Sequence, residues 1–412
     1  MKANIKIYLA ILFLLNSYLS FGQKITLDSI LNTIKINSHM IHEYDWKIEA
    51  AKAYSEGAKS WMAPMVGGGT FMTPYPFSES TDNGSLMFSV QQEIPNPAKL
   101  KAKKEFYDSK ASVLETSRES VYNELRANAK QLYYQWIILE RKKAVLKESE
   151  EILLLMKKLA NIRYPYSQGS LGNIYKADAR LFEVQNMLLM TDAEIEQKNI
   201  LLNTLMNIEK ETRFSIDTSS VKINPSVIDK AEQSRILNRS DVRTLENNIE
   251  SMRLNSRLMR FDAKPDFNIR FDHMSPLTAG MPGQYSIMAM VSIPIAPWSS
   301  KMYKSQAKGM DFEIKAMEME KEGIINEAEG MTQSMVLEIK KMEQQLSNYK
   351  TKIIPALKKN YTTEMLAYEE NKGELPMVID AWEALNMAQL EYLNNLEKQY
   401  LMIVNYEKEI EK

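Results

Sequence analysis

Between residues 99 and 162 the chain contains no glycine and no proline, and Ala, Leu, Glu, Lys and Arg dominate it. At 1.5 Å of rise per residue, such a stretch is a helix on the order of 90 Å long. A second long helical segment is predicted over about residues 301–354, and shorter ones over 26–62, 173–209, 225–262 and 376–411. Leu132, Trp136, Leu139, Lys143 and Leu146 recur at three- and four-residue spacing, a mainly apolar stripe between polar flanks. Helices of this length cannot wrap around one round core. They must lie side by side in a coiled-coil-like bundle.

Two short windows break the helical pattern. "MVGGGTFMTPYPF" (65–77) leads through the polar turn "SESTDNG" to Leu86–Ile94, and "DFNIRFDHM" (266–274) leads through "SPLTAGMPGQ" to 285–293. Alternation and turn chemistry make each a β-hairpin. Phe267, Ile269 and Phe271 share one face, with Asn268, Arg270 and Asp272 on the other. On the return strand Ile287, Ala289, Val291 and Ile293 oppose Ser286, Met288, Met290 and Ser292, and Leu86, Phe88 and Val90 oppose Met87, Ser89 and Gln91. A lone hairpin is marginal in water, so the two must find each other, and copies of the chain as well. An apolar-faced hairpin is also what the edge of a soluble sandwich shows.

The first 22 residues read as a secretory signal: Lys2 and Lys6, a nine-residue apolar core from Ile7 to Leu15, and small residues before Gln23. That core falls short of the roughly 20 residues a spanning helix needs. The chain has 52 Lys and Arg against 53 Asp and Glu, which gives no general case for a nucleic-acid partner. It has no cysteine, which excludes disulfides, thiolate catalysis and Cys-ligated zinc.

The chain repeats itself. Ile94-Pro95 and Ile293-Pro294 end corresponding hairpins, and "YPYSQGSLGNIYKADARLFEVQ" from Tyr164 aligns with "YEENKGELPMVIDAWEALNMAQ" from Tyr368. Gly169 meets Gly373, Leu171 meets Leu375, Ala177 meets Ala381, Leu181 meets Leu385 and Gln185 meets Gln389. The predicted organisation is a first repeat over 23–209 (hairpin about 65–94, tip about 163–173) and a linker over 210–225. A second repeat follows over 226–412, with its hairpin at about 266–293 and its tip at about 368–377. The predicted fold class is mainly α with a small β part, a duplicated helix–hairpin–helix unit.

On these motifs, with Ile354-Pro355 inside the second long helix, the chain resembles the TolC-like outer-membrane efflux channels of tripartite pumps and type I secretion. The first repeat has no counterpart of Pro355. The resemblance implies a homotrimer in which each chain gives four strands to one transmembrane β-barrel and its helices to one periplasmic tunnel. It implies a periplasmic adaptor protein and an inner-membrane pump as partners, placement in the outer membrane, and no enzymatic activity or cofactor. Phe267, Ile269, Phe271, Ile287 and Val291 would then meet lipid, and Asn268, Arg270 and Asp272 would line the lumen. Trp298 and Tyr303 would anchor the inner interface, unless Trp298 simply packs at a helix start. The tips would meet the adaptor and form the entrance. Asp380 falls near the family's acidic gate residues, with Glu383 a weaker candidate; a carboxylate at a helix start is also an ordinary solvated charge.

No catalytic constellation emerges. His39 and His42 lie one helical turn apart but lack a third ligand, and read as an exposed helical pair. "GGG" at 67–69 lacks the Lys-Ser/Thr of a phosphate loop and reads as strand glycine. The 27 methionines concentrate partly at the hairpins. Thioethers suit Cu(I) and Ag(I), so Met288 and Met290, with His273 and Met274 nearby, are candidate soft-metal ligands; methionine is equally a flexible gap-filler. A heavy-metal efflux duct is therefore one expectation. A polypeptide secretion duct and a soluble periplasmic scaffold or metal buffer are the alternatives.

Overall fold

The computed structural model describes residues 24–75, 84–166, 170–218, 232–294 and 296–412. The signal-like segment, most of the first hairpin turn, Gly169 and much of the predicted linker lie outside these residues. In chain order the elements are β1 (Lys24–Ile25), α1 (Leu27–Asn37), α2 (His39–Gly57), β2 (Met65–Phe71), β3 (Ser85–Ile94) and α3 (Pro97–Arg163). There follow α4 (Leu171–Met206), β4 (Ser215–Ile216), α5 (Glu232–Leu237), α6 (Ser240–Arg260), β5 (Asp266–Pro276) and β6 (Gln284–Ser292). The chain ends with α7 (Pro297–Asn348), a π-helical turn at Tyr349–Ile353, α8 (Ile354–Glu369) and α9 (Leu375–Glu409).

Local chemistry sets the boundaries. Thr26 caps α1 by accepting the Ser29 N–H at 3.3 Å, and the extended Ser38 then separates α1 from α2, where the sequence pattern predicts one helix. At the strand-to-helix junctions, the second proline of each pair opens the helix. Asn96 accepts the Ala98 N–H at 2.9 Å with Pro97 in the first turn, and Ala296 O accepts the Ser300 N–H at 2.8 Å beside Pro297. Pro355 has no N–H to give a preceding carbonyl. The ladder just before it widens so that the Ile354 N–H reaches back five residues to Tyr349 O. α3, with no such proline, runs unbroken through the matching part of the first repeat.

The chain forms two compact units, each drawing on both halves of the sequence. One comprises the chain up to His42, Val121–Arg239 and Glu327–Lys412; the other comprises Glu43–Ser120 and Ser240–Asn326.

In the second unit the two hairpins join into one antiparallel sheet of order β2-β3-β5-β6, leaving β2 and β6 as its edges. Its helical parts follow the same order, shown by side-chain bonds between neighbours. Asp45 bonds Arg118 and Asp108 bonds Ser55 across α2 and α3. Glu119 bonds Arg243 and Glu105 bonds Arg257 across α3 and α6. Glu318 bonds Arg253, and Lys321 bonds Glu246, across α7 and α6.

In the first unit, Ile30, Ile34, Tyr133, Trp136, Ile137, Leu202 and Ile216 form one core, and the Tyr133 hydroxyl donates to Asp217 O at 2.9 Å. The parallel β1–β4 pair closes beside it, so part of the predicted linker is built into the fold. A second core joins Leu153, Met156, Ala177, Leu181, Tyr368, Val378, Ile379 and Trp382 from α3, α4, α8 and α9.

Candidate functional site

Strand register sorts the sheet into two faces. Phe267 lies beside Ile94 and Val291, Ile269 beside Gln92 and Ala289, and Phe271 beside Val90 and Ile287. This face is open: Phe267, Ile269, Phe271, Val291, Leu86 and Phe88 are all exposed, and Ile287 is 67% accessible. On the other face Asn268 lies between Glu93 and Met290, Arg270 between Gln91 and Met288, and Asp272 between Ser89 and Ser286. Asp272 is only 5% accessible. Arg270 Nε donates to Asp272 Oδ1 at 2.8 Å, and its guanidinium also reaches Ser89 Oγ at 3.2 Å. A sheet in a soluble protein covers its apolar face and wets its polar one. This sheet leaves its apolar face open, while on its polar face Asp272 is buried and Met288 and Met290 are exposed.

The same register divides the predicted methionine–histidine set. Met288, Met290 and Met274 share the polar face, where Met274 sits directly beside Met87. His273 is on the apolar face, between Phe88 and Tyr285, because it follows Asp272 by one residue and side chains alternate. It therefore cannot join Met288 and Met290 around one ion. His39 and His42 are engaged elsewhere: His39 Nε2 lies 3.0 Å from the Asn207 amide, and His42 Nε2 lies 2.8 Å from Ile36 O. Among the described residues, no group of three His, Asp or Glu side chains is placed to hold a metal. Gly67–Gly69 lie within β2, and Trp298 is exposed in the first turn of α7.

The predicted gate residues lie on α9, and both are paired with α4. Asp380 accepts from Lys176 at 2.8 Å, and Glu383 accepts from Arg180 at 2.8 Å; Arg180 also holds Glu183 at 2.7 Å. Lys176 and Asp380 occupy matching places in the two repeats and carry opposite charges, so the aligned positions form a pair. The bond to Glu183, then the charge of Glu383, holds the Arg180 guanidinium above its usual range.

Below these pairs, Arg163 stacks on the Tyr368 ring at 4.1 Å and donates to Glu369 O at 3.1 Å. The following turn carries Asn371 in the left-handed region at φ 59°. Lys372 and Gly373 both donate to Ala367 O, at 2.8 and 3.0 Å. A Cβ on Gly373 would lie 3.1 Å from Tyr368 N, which is why this turn carries glycine. Sequence reasoning finds Asp380 and Glu383 and aligns Lys176 with Asp380, but does not pair them and does not reach Arg180. The signal was present in the repeat alignment, which sets Lys176 against Asp380.

One unit holds a four-stranded sheet with an exposed apolar face, and the other holds long helices with ion pairs near their turns. Solved structures share this fold. The chain superposes on the outer-membrane channel OprN with a TM-score of 0.76 at 15% identity, covering 93% of this chain and 89% of that one. CusC matches at 0.76 and 12%, over 95% and 93% of the two chains, and VceC from Vibrio cholerae at 0.74 and 12%, over 93% and 95%. The chain thus has the TolC-like fold that the sequence motifs resemble. No protein-family model and no curated protein matches it by sequence.

Proposed function

We propose that the protein is the outer-membrane channel of a tripartite efflux system, a passive duct with no chemistry of its own. The observation that carries this reading is the sheet's uncovered apolar face. That face is open on neighbouring strands, and β2 and β6 are edges with no further strand partner among the described residues. Exposed strand edges are tolerated in lipid only when a barrel closes them. Three copies make a closed twelve-stranded barrel, an even number of the kind bacterial outer-membrane barrels use. Asn268, Arg270 and Asp272 then face the lumen, and Phe267, Ile269, Phe271, Ile287 and Val291 face lipid. No described helix is long and apolar enough to cross a membrane.

In this reading Asp380 and Glu383 act at the tip as latches rather than as free carboxylates. Lys176 and Arg180 tie α9 to α4, and an adaptor protein coupled to an inner-membrane pump loosens them. Membrane fractionation with heat-modifiable gel migration tests the reading: recovery entirely in the soluble periplasm would sink it. A finer reading concerns cargo. Met87, Met274, Met288 and Met290 give the lumen face soft thioethers, which suit Cu(I) or Ag(I) passing through. Deleting the protein from a cell with no second duct is expected to lower copper and silver tolerance more than tolerance of hydrophobic drugs.

A further inference from the structure

In the second unit, α6 separates its charges from its apolar residues. Arg243, Glu246, Arg253 and Arg257 are all ion-paired to α3 or α7. The opposite side of the helix carries Leu245, Asn248, Met252 and Asn255, at three- and four-residue spacing and with no charge among them. That side opens into two adjoining cavities that meet at Lys110 and Leu114 of α3. One, of about 700 Å³, lies over α3, α6 and α7 and is lined by Phe106, Leu245, Met252 and Met317. The other, of about 420 Å³, lies between α2 and α3 against Tyr54 and Tyr107. Both volumes fall in the range of small-molecule sites.

Three aromatic rings cross the junction of the two cavities. Phe106 and Tyr107 lie 5.5 Å apart, and Tyr107 and Tyr54 lie 6.5 Å apart. The charged groups that line the groove are Lys47, Lys110 and Glu320. Glu43 holds Lys47 at 2.6 Å, and Glu320 stands at the α7 end. Lys110 has no carboxylate partner among the described residues. Its ammonium rests instead 4.7 Å from the centre of the Phe106 ring and 5.9 Å from that of Tyr107. An exposed contact of this kind is weaker than a charge-assisted hydrogen bond, so an arriving anion can take the ammonium from the rings.

These groups specify the chemistry of an occupant. Aromatic walls call for a flat ring that stacks, and the ammonium calls for an acceptor that carries charge. One ammonium without an acidic partner, with a carboxylate at the far end, suits a monoanion better than a dianion. We infer that this groove binds an aromatic carboxylate, its ring against Tyr54, Tyr107 and Phe106 and its carboxylate on Lys110. The amides of Asn248 and Asn255, which bond no other described group, are left for polar substituents on the ring. The site lies wholly within the second unit and does not depend on the channel reading.

Isothermal titration of the purified protein in a neutral maltoside detergent, against a detergent blank, tests the site with 2-naphthoate and its uncharged analogue 2-naphthamide. Naphthoate is expected to bind saturably, and naphthamide about tenfold more weakly. Lys110→Gln is expected to lower naphthoate to the level of naphthamide without moving naphthamide, and Lys110→Arg to restore the preference. Tyr107→Ala is expected to weaken both ligands. Lys110 is exposed, so its variants keep the fold, which helical circular dichroism checks. Absence of saturable naphthoate binding would overturn the inference. So would a naphthoate preference that survives Lys110→Gln, or binding of both ligands that Tyr107→Ala leaves unchanged. None of these outcomes bears on the channel reading, which membrane fractionation decides separately.

Discussion

Single side chains carry three consequences. On β6, Ile287 and Ser286 are neighbours that face opposite ways, Ile287 beside Phe271 and Ser286 beside Asp272. Ile287→Arg puts a charge on the apolar face that the proposed barrel turns to lipid and is expected to cost about 2–4 kcal/mol near the bilayer midplane, whereas Ser286→Lys gains a carboxylate neighbour. Thermal loss of the assembled gel band checks this: a sharp drop for the first and little change for the second. At the tip, Lys176–Asp380 is a partly exposed pair, worth below about 1 kcal/mol to stability. In the proposed channel its effect is on gating. Asp380→Lys sets two ammonium groups together and is expected to raise conductance in a planar bilayer, and adding Lys176→Asp is expected to restore the resting value. In the core, burial first and the charge of Glu407 second push the Tyr134 phenol up to about 12. In the unfolded chain it ionises near 10, so the stability it protects is intact below pH 10 and lost as pH climbs from 10 to 12. Tyr134→Phe is expected to flatten that part of a denaturation-against-pH curve.

At the scale of elements, the hairpins and long helices are legible because each depends on near neighbours in sequence. Alternation from Phe267 to Asp272 and from Ile287 to Ser292 reproduces the observed faces residue by residue. Contacts between distant segments are not legible in this way. The pairing of β3 with β5 joins strands separated by more than a hundred residues, and no local pattern encodes it. His273 was grouped with Met288 by closeness in sequence, although a one-residue step reverses the face. The repeat aligns Lys176 with Asp380, but that the two are bonded, and that Arg180 holds Glu383, depends on how the helices lie. The π turn at Tyr349–Ile353 is an intermediate case, since Pro355 announces a disturbance without saying what form it takes. Pro355→Ala restores the missing N–H and is expected to raise the thermal midpoint of the helical signal. The gain is expected to fall short of the roughly 3 kcal/mol that proline costs in an ordinary helix interior, because the π turn already absorbs part of the strain. A lower midpoint would mean that the turn is held by packing rather than by the proline.

For the whole molecule, the repeat explains how one sequence supplies two similar hairpins whose pairing makes one four-stranded sheet, a third of the proposed barrel. It also explains why the halves differ where function differs. The first half keeps α3 continuous; the second has a break in α7–α8 and the carboxylates of the tip. The sheet's two bare edges and uncovered apolar face have a kinetic counterpart. In the proposed channel, a newly exported chain can finish its helical cores alone, but its strands reach their final surroundings only when other copies arrive. Maturation is therefore a collision-limited step whose rate climbs steeply with the number of chains waiting. At scarce supply, the unfinished protomer spends its lifetime exposed to proteases and to mistaken strand partners. The steady-state amount of duct should then respond to synthesis as a threshold rather than in proportion.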